Sequence, residues 1–166
     1  MATDTERRVL GMLGAIEPPP NAAEQIEAMG PEAVNVACEA ALGTYVELRP
    51  KVRTNAAAIV GRMTSEQARE TLALLVTDPD EGVAIRALRA VARRDEPELV
   101  QRAGLVLRRP DASPILAAEA INALAATPAR SAAREVLEEY RRMEGEGAPA
   151  HRRHPLVEQA LQRAQG

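Results

Sequence analysis

Asp78-Pro79-Asp80-Glu81-Gly82-Val83-Ala84-Ile85-Arg86-Ala87-Leu88-Arg89-Ala90-Val91-Ala92 opens with helix-starting residues and continues with apolar side chains at helical spacing. Shifted back by 31 positions, it lays Val52, Ala56 and Val60 over Val83, Ala87 and Val91. Shifted forward by 33, it lays Leu116, Ala120 and Leu124 over the same three. Ala160-Leu161 then repeats the Ala120-Ile121 step 40 residues on. A signal recurring every 31 to 40 residues predicts stacked helical pairs, because one pair cannot bury its own apolar face without neighbours.

Proline and capping residues mark where the helices begin. Pro fixes φ and lacks an N–H, so it is tolerated in a first helical turn, and Pro31, Pro50, Pro79, Pro114, Pro128 and Pro155 all fit that place. Asp78 with Glu81, Thr64 with Gln67, and Asp95 with Glu98 have capping-box spacing, while Ser113 and Thr127 stand ahead of Pro114 and Pro128. Behind these marks the apolar positions keep to one face: Val34, Cys38, Ala41, Leu42 and Tyr45; Ala68, Leu72, Leu75 and Val76; Ala129, Ala132, Ala133, Val136, Leu137 and Tyr140. No segment alternates with period two over strand length. The expected order is a helical cap within 1–30, with Val9, Leu10, Leu13 and Ile16 as its apolar face, followed by four pairs. Those pairs are 31–47 with 50–62, 65–77 with 79–93, 96–108 with 114–126, and 128–143 with 155–164. Residues 144–154, rich in Gly, Pro and charge, form the expected flexible loop.

Composition fits one all-α domain over 1–166. Apolar residues make up 46% of the chain, yet Trp and Phe are absent, so the core is built from Ala, Leu, Val and Ile. The first residues carry acids and lead into only a short apolar run, so neither a signal peptide nor a membrane span is expected, and the reading is cytoplasmic. One cysteine, Cys38, excludes an intrachain disulfide framework. Residues 1–85 hold 7 basic and 13 acidic side chains and residues 86–166 hold 14 and 11, which makes the second half the basic one. All basic residues but Lys51 are Arg, a bias that a GC-rich genome explains more simply than selection for bidentate contacts.

The 78–92 segment resembles a HEAT repeat of the short kind found in phycobilisome-lyase-type and related bacterial proteins. That pattern is Asp-Pro, three free positions, Val-Arg, two free positions, Ala, then Ala-Leu. Asp78, Pro79, Val83, Ala87, Ala90 and Val91 match it, and Ala84 stands where Arg is expected. The copy at Val52-Arg53-Thr54-Asn55-Ala56 restores the Arg without the Asp, and a third copy keeps Pro110-Asp111 and the apolar positions. The likeness covers about residues 31–126 clearly. It implies a right-handed α-solenoid of about four helical pairs in which the second helix of each pair lines a concave binding wall. Tetratricopeptide and ankyrin signatures do not appear.

On that wall the outward positions are Asn55, Ala58 and Arg62; Arg86, Arg89 and Arg93; Glu119 and Asn122; Gln159 and Gln162. The expected function is a non-enzymatic scaffold or adaptor that takes a protein partner with an acidic or polar segment, anchored by Arg86, Arg89 and Arg93. No cofactor or metal is expected. His151 and His154 sit beside Arg152 and Arg153 without acidic or Cys companions, Cys38 lies on an apolar face, and no phosphate loop or nucleophile elbow is present. The alternative is phosphate-backbone binding of nucleic acid through the Arg-rich second half and the cluster Arg86, Arg89, Arg93 and Arg94. A net charge of −3 and the lack of Trp and Phe for base stacking weigh against it. With both solenoid ends capped, the chain is expected to be a monomer or weak oligomer.

Overall fold

The computed structural model describes residues 2–145 and 156–165, and every regular element among them is a helix. In chain order these are α1 (Asp4–Gly14), α2 (Ala22–Ala28), α3 (Pro31–Leu42), α4 (Pro50–Val60), α5 (Glu66–Leu75), α6 (Glu81–Val91), α7 (Pro97–Leu107), α8 (Pro114–Ala126), α9 (Arg130–Gly145) and α10 (Leu156–Gln165). None of them is long and apolar enough to cross a membrane. The expected lead-in helices and the eight helices of the four pairs are therefore present. Residues 146–155, which hold both histidines and most of the expected loop, lie outside the described residues.

Local chemistry moves several helix ends from their expected places. Pro31, Pro50 and Pro114 do open helices, and so does Pro97, but α6 and α9 start two residues after Pro79 and Pro128. At α6 the cap is Asp80, whose side chain accepts from the Val83 N–H at 3.2 Å, while Asp78 accepts from the Asp80 N–H at 2.8 Å and shapes the turn before it. Glu81 is thus spent elsewhere rather than in a capping box with Asp78. At α5 the Ser65 hydroxyl, not Thr64, accepts from Ala68 N–H at 3.4 Å. The expected helix 31–47 stops at Leu42, because Gly43 adopts φ 81°, a left-handed conformation that only glycine takes without strain. Arg53 of α4 then closes that end by donating to the Ala41 and Leu42 carbonyls at 3.0 and 3.4 Å. Tyr45 consequently lies beyond the helix whose apolar stripe it was expected to extend.

The superposed apolar positions form the core: Val52, Ala56 and Val60, Val83, Ala87 and Val91, and Leu116, Ala120 and Leu124 are all buried. Ala160 and Leu161 are buried like Ala120 and Ile121. Ile16, expected on the apolar face of the N-terminal cap, follows the end of α1 and is 84% exposed; Val9 and Leu13 carry that face instead.

The chain divides into two compact units, Met1–Leu75 and Val76–Gly166. The boundary falls between α5 and α6, the two helices expected to form the second pair. It also redistributes the charge: unit 1 has 7 basic and 10 acidic residues, and unit 2 has 14 of each. The apparent basic character of the second half came from a cut that left Asp78, Asp80 and Glu81 on the wrong side.

In unit 1, α1 packs on α3 and α4, α2 on α3 and α4, α3 on α4 and α5, and α4 on α5. In unit 2 each helix packs on the next and the next but one: α6 on α7 and α8, α7 on α8 and α9, α8 on α9 and α10, and α9 on α10. Such local pairing makes two interleaved rows, α6–α8–α10 and α7–α9.

Polar bonds repeat the same offset. Glu81 binds Ser113, 32 residues away; the Arg94 carbonyl binds Thr127, at 33; Asp78 binds Arg109, at 31; Arg89 binds Glu119, at 30; and Arg130 binds the Arg163 carbonyl, at 33. In unit 1, Gln67 binds Asn35 at an offset of 32. Within unit 2 the offset thus recurs in hydrogen bonds, whereas other bonds of unit 1 span 29, 37 and 42 residues.

Thr127 offers a test of one such bond. It is 2% exposed, donates to the Arg94 carbonyl at 2.8 Å and accepts from the Ala129 N–H at 3.2 Å. Thr127→Val keeps the shape and removes both hydrogen bonds, so it should lower unfolding free energy by about 1–3 kcal/mol in urea titrations.

Alkaline pH should also weaken unit 1. Burial pushes the Cys38 thiol above its ordinary value, with the Thr71 hydrogen bond opposing and Glu39 adding to the rise. Partial burial and the charges of Glu6 and Glu39 push Tyr45 up to about 12. Both groups are harder to ionise folded than unfolded, so their contribution is intact below the ordinary values of 9.0 and 10.0 and is lost as pH rises through the folded ones. The urea midpoint should fall from pH 8 to pH 11, and fall less in the Cys38→Ala, Tyr45→Phe double variant.

Candidate functional site

Helix α6 buries Val83, Ala84, Ala87, Leu88, Ala90 and Val91, which leaves Gly82, Arg86 and Arg89 on its exposed side, with Arg93 continuing the line just past its last residue. Four positions spaced by four, three and four residues lie within a narrow angular range on a helix, so they make one stripe. The Arg93 N–H bonds the Ala90 carbonyl at 3.0 Å, which keeps the turn going long enough to hold that residue in line.

Beside it runs α8, which buries Leu116, Ala120, Ile121, Ala123 and Leu124. Its parallel stripe is Ile115, Glu119, Asn122 and Ala126. The two helices pack directly on each other. Two polar bonds fix their register. Glu81 accepts from the Ser113 N–H at 3.1 Å and from its hydroxyl at 2.6 Å, and that hydroxyl in turn caps α8 by accepting from Leu116 N–H at 3.1 Å. About two turns further on, Arg89 Nη2 donates to Glu119 Oε1 at 2.7 Å. The hydrogen bond to Glu119 holds the Arg89 guanidinium above its already high range.

The electrostatics of the stripe follow from this pairing. Arg89 is neutralised by Glu119, whereas Arg86 and Arg93 are exposed and have no carboxylate partner among the described residues. Arg94, the fourth member of the expected cluster, turns away to Glu96 at 2.9 Å with its side chain only 15% exposed. The face therefore offers two open positive charges, not four.

The nine residues singled out from sequence do not form one set. Arg86, Arg89, Arg93, Glu119 and Asn122 are brought together on α6 and α8 of unit 2. Gln159 and Gln162 are exposed on α10, which packs on α8. Asn55 lies on α4 and Arg62 just past its end, both in unit 1. Asn55 donates its side-chain amide to the Leu13 and Ala15 carbonyls at 2.9 and 3.3 Å, so it ties down the end of α1. Arg62 reaches the Pro20 carbonyl at 3.5 Å.

Gly82 and Ile115 belong to the stripe and were not among the expected site residues. The signal for both was in the sequence, since the 33-residue shift that lays Leu116 over Val83 also lays Ile115 over Gly82. Ile115 is 68% exposed, the most exposed large apolar side chain of unit 2 among the described residues.

A cavity of about 430 Å³ in unit 1 is lined by Glu27, Gly30, Pro31, Val34, Thr64, Ser65 and Gln67. Its carboxylate, Glu27, already accepts from the Thr64 and Ser65 N–H groups at 2.7 and 2.9 Å, so it serves the start of α5. Cys38 is buried. Among the described residues no group of three or more His, Cys, Asp or Glu is arranged to hold a metal ion. No protein-family model matches this sequence, and no curated protein matches it.

Proposed function

We propose that the chain is a HEAT-like, right-handed α-solenoid that works as a non-enzymatic scaffold, holding a protein partner against the wall formed by the second helices of its pairs. The observation that carries this reading is the pair of exposed, uncompensated guanidinium groups of Arg86 and Arg93, set on one stripe with the closed Arg89–Glu119 pair. Guanidinium groups with no carboxylate partner among the described residues lose little on meeting one, and Arg is enriched where partners bind. Asn122, Gln159 and Gln162 extend the same row with neutral polar groups.

The test is capture of partners from the native cell with the wild-type chain and the Arg86→Glu, Arg89→Glu, Arg93→Glu variant. Loss of specific partners from the variant, with its helical content and melting temperature kept, is the expected result; an unchanged set contradicts the proposal. Phosphate-backbone binding is the competing reading. It requires affinity for a DNA duplex that falls steeply between 50 and 200 mM salt, and the withdrawal of Arg94 into its bond with Glu96 removes part of its support.

A further inference from the structure

The two-helix face carries more than charge, and resting on the proposal above, its layout names the kind of segment it fits. Ile115 projects from the first turn of α8, at the position equivalent to Gly82 in the first turn of α6. The Glu81–Ser113 bonds hold those two first turns side by side. Gly82 has no side chain to cover its neighbour, so one end of the face is an apolar step: a bare helix turn with an exposed isoleucine beside it. From Gly82 to Arg86 is one turn, about 6 Å, and from Arg86 to Arg93 two turns, about 10.5 Å. Between the two open charges the Arg89–Glu119 pair is already satisfied and offers no net charge.

We infer that this face accepts an amphipathic acidic helix of a partner protein, with an apolar residue at position i seated on Ile115 and carboxylates at i+4 and i+11 paired with Arg86 and Arg93. A helix matches both steps because its residues four and seven apart rise by those same distances on one face. An extended strand does not: its same-side residues recur every 6.7 Å or so, and three residues along, at about 10 Å, the side chain has flipped. Neutral residues at i+7 and i+8 complete the motif, since a carboxylate there would meet Glu119.

The probe is a capped 18-residue helical peptide on an Ala/Gln background with Leu at i and Glu at i+4 and i+11, made in both chain directions. It is titrated into the ¹⁵N-labelled full chain at 50 mM salt. The control peptide has the same composition with its two Glu moved off the Leu face. Amide shifts should cluster at Gly82, Arg86, Arg93 and Ile115, and the control should bind about tenfold more weakly, the scale of two lost exposed ion pairs. Ile115→Asn and the Arg86→Glu, Arg93→Glu variant should each weaken the matched peptide selectively. Equal binding of matched and control peptides, shifts centred on another face, or no shifts at all overturn the helix motif. So does a 12-base-pair DNA duplex that reproduces the shifts more strongly than either peptide. The cell capture experiment reads independently. A triple-Glu variant that loses its partners while the peptides show no register preference keeps the scaffold and rejects this motif, whereas retained partners reject the scaffold itself.

Discussion

Leu124→Ala should lower the unfolding free energy by about 2–5 kcal/mol. Leu124 is 1% exposed on α8, which packs on α6, α7, α9 and α10, so it belongs to the core of unit 2. Truncation removes three carbons from a buried site and leaves a cavity that its neighbours close only in part. Urea or thermal unfolding reads the loss directly. Leu105 is the natural comparison: a leucine in the next helix back, half exposed, whose change to Ala should cost well under 1 kcal/mol. Equal effects at the two sites would mean that the core has been misplaced.

Gly104→Ala should destabilise as well, against the usual preference for Ala in a helix. Ala gains about 1 kcal/mol over Gly from propensity alone. A Cβ at Gly104, however, would stand 2.6 Å from Val136 Cγ1 on α9. Valine is stiff about χ1 and Val136 is buried, so the methyl cannot swing aside and the helices must part. The net loss should be about 1–3 kcal/mol. Adding Val136→Ala should return part of it, giving a coupling in the double-mutant cycle that independent sites do not show. If Gly104→Ala alone raised the melting temperature, α7 and α9 would not meet there.

Which features could be read from the chain follows from their range. The apolar positions of the repeat were legible because burial is periodic along a helix, and 31- and 33-residue shifts lined up residues that prove to be buried together. Helix starts were legible only to within two residues. Proline tolerates several places near a first turn, and Asp78, Asp80 and Glu81 compete for one cap, a contest that Glu81 leaves by bonding Ser113. The end of α3 turned on the left-handed Gly43 and on Arg53, which comes from the following helix and has no signal within α3 itself.

The candidate face was half legible. Helical spacing placed Arg86, Arg89 and Arg93 on one stripe, but spacing says nothing about partners. That Glu119 closes Arg89 and that Asn55 serves the end of α1 are consequences of packing between elements, and Glu96 takes Arg94 within the turn that follows α6. Ile115 escaped notice for a different reason. A large apolar residue in an Ala-rich helix reads as core until its angular position is compared with that of Glu119 and Asn122.

A crystal structure of the full chain tests the central proposal, that the helices of unit 2 stack at an offset of about 32 residues with α6, α8 and α10 in one row. It should show Glu81 on Ser113, Arg89 on Glu119 and Thr127 on the Arg94 carbonyl, with α6, α8 and α10 side by side in that order. A closed bundle in which α6 and α8 are not neighbours, or in which Arg86 and Arg93 are buried against another helix, would contradict it.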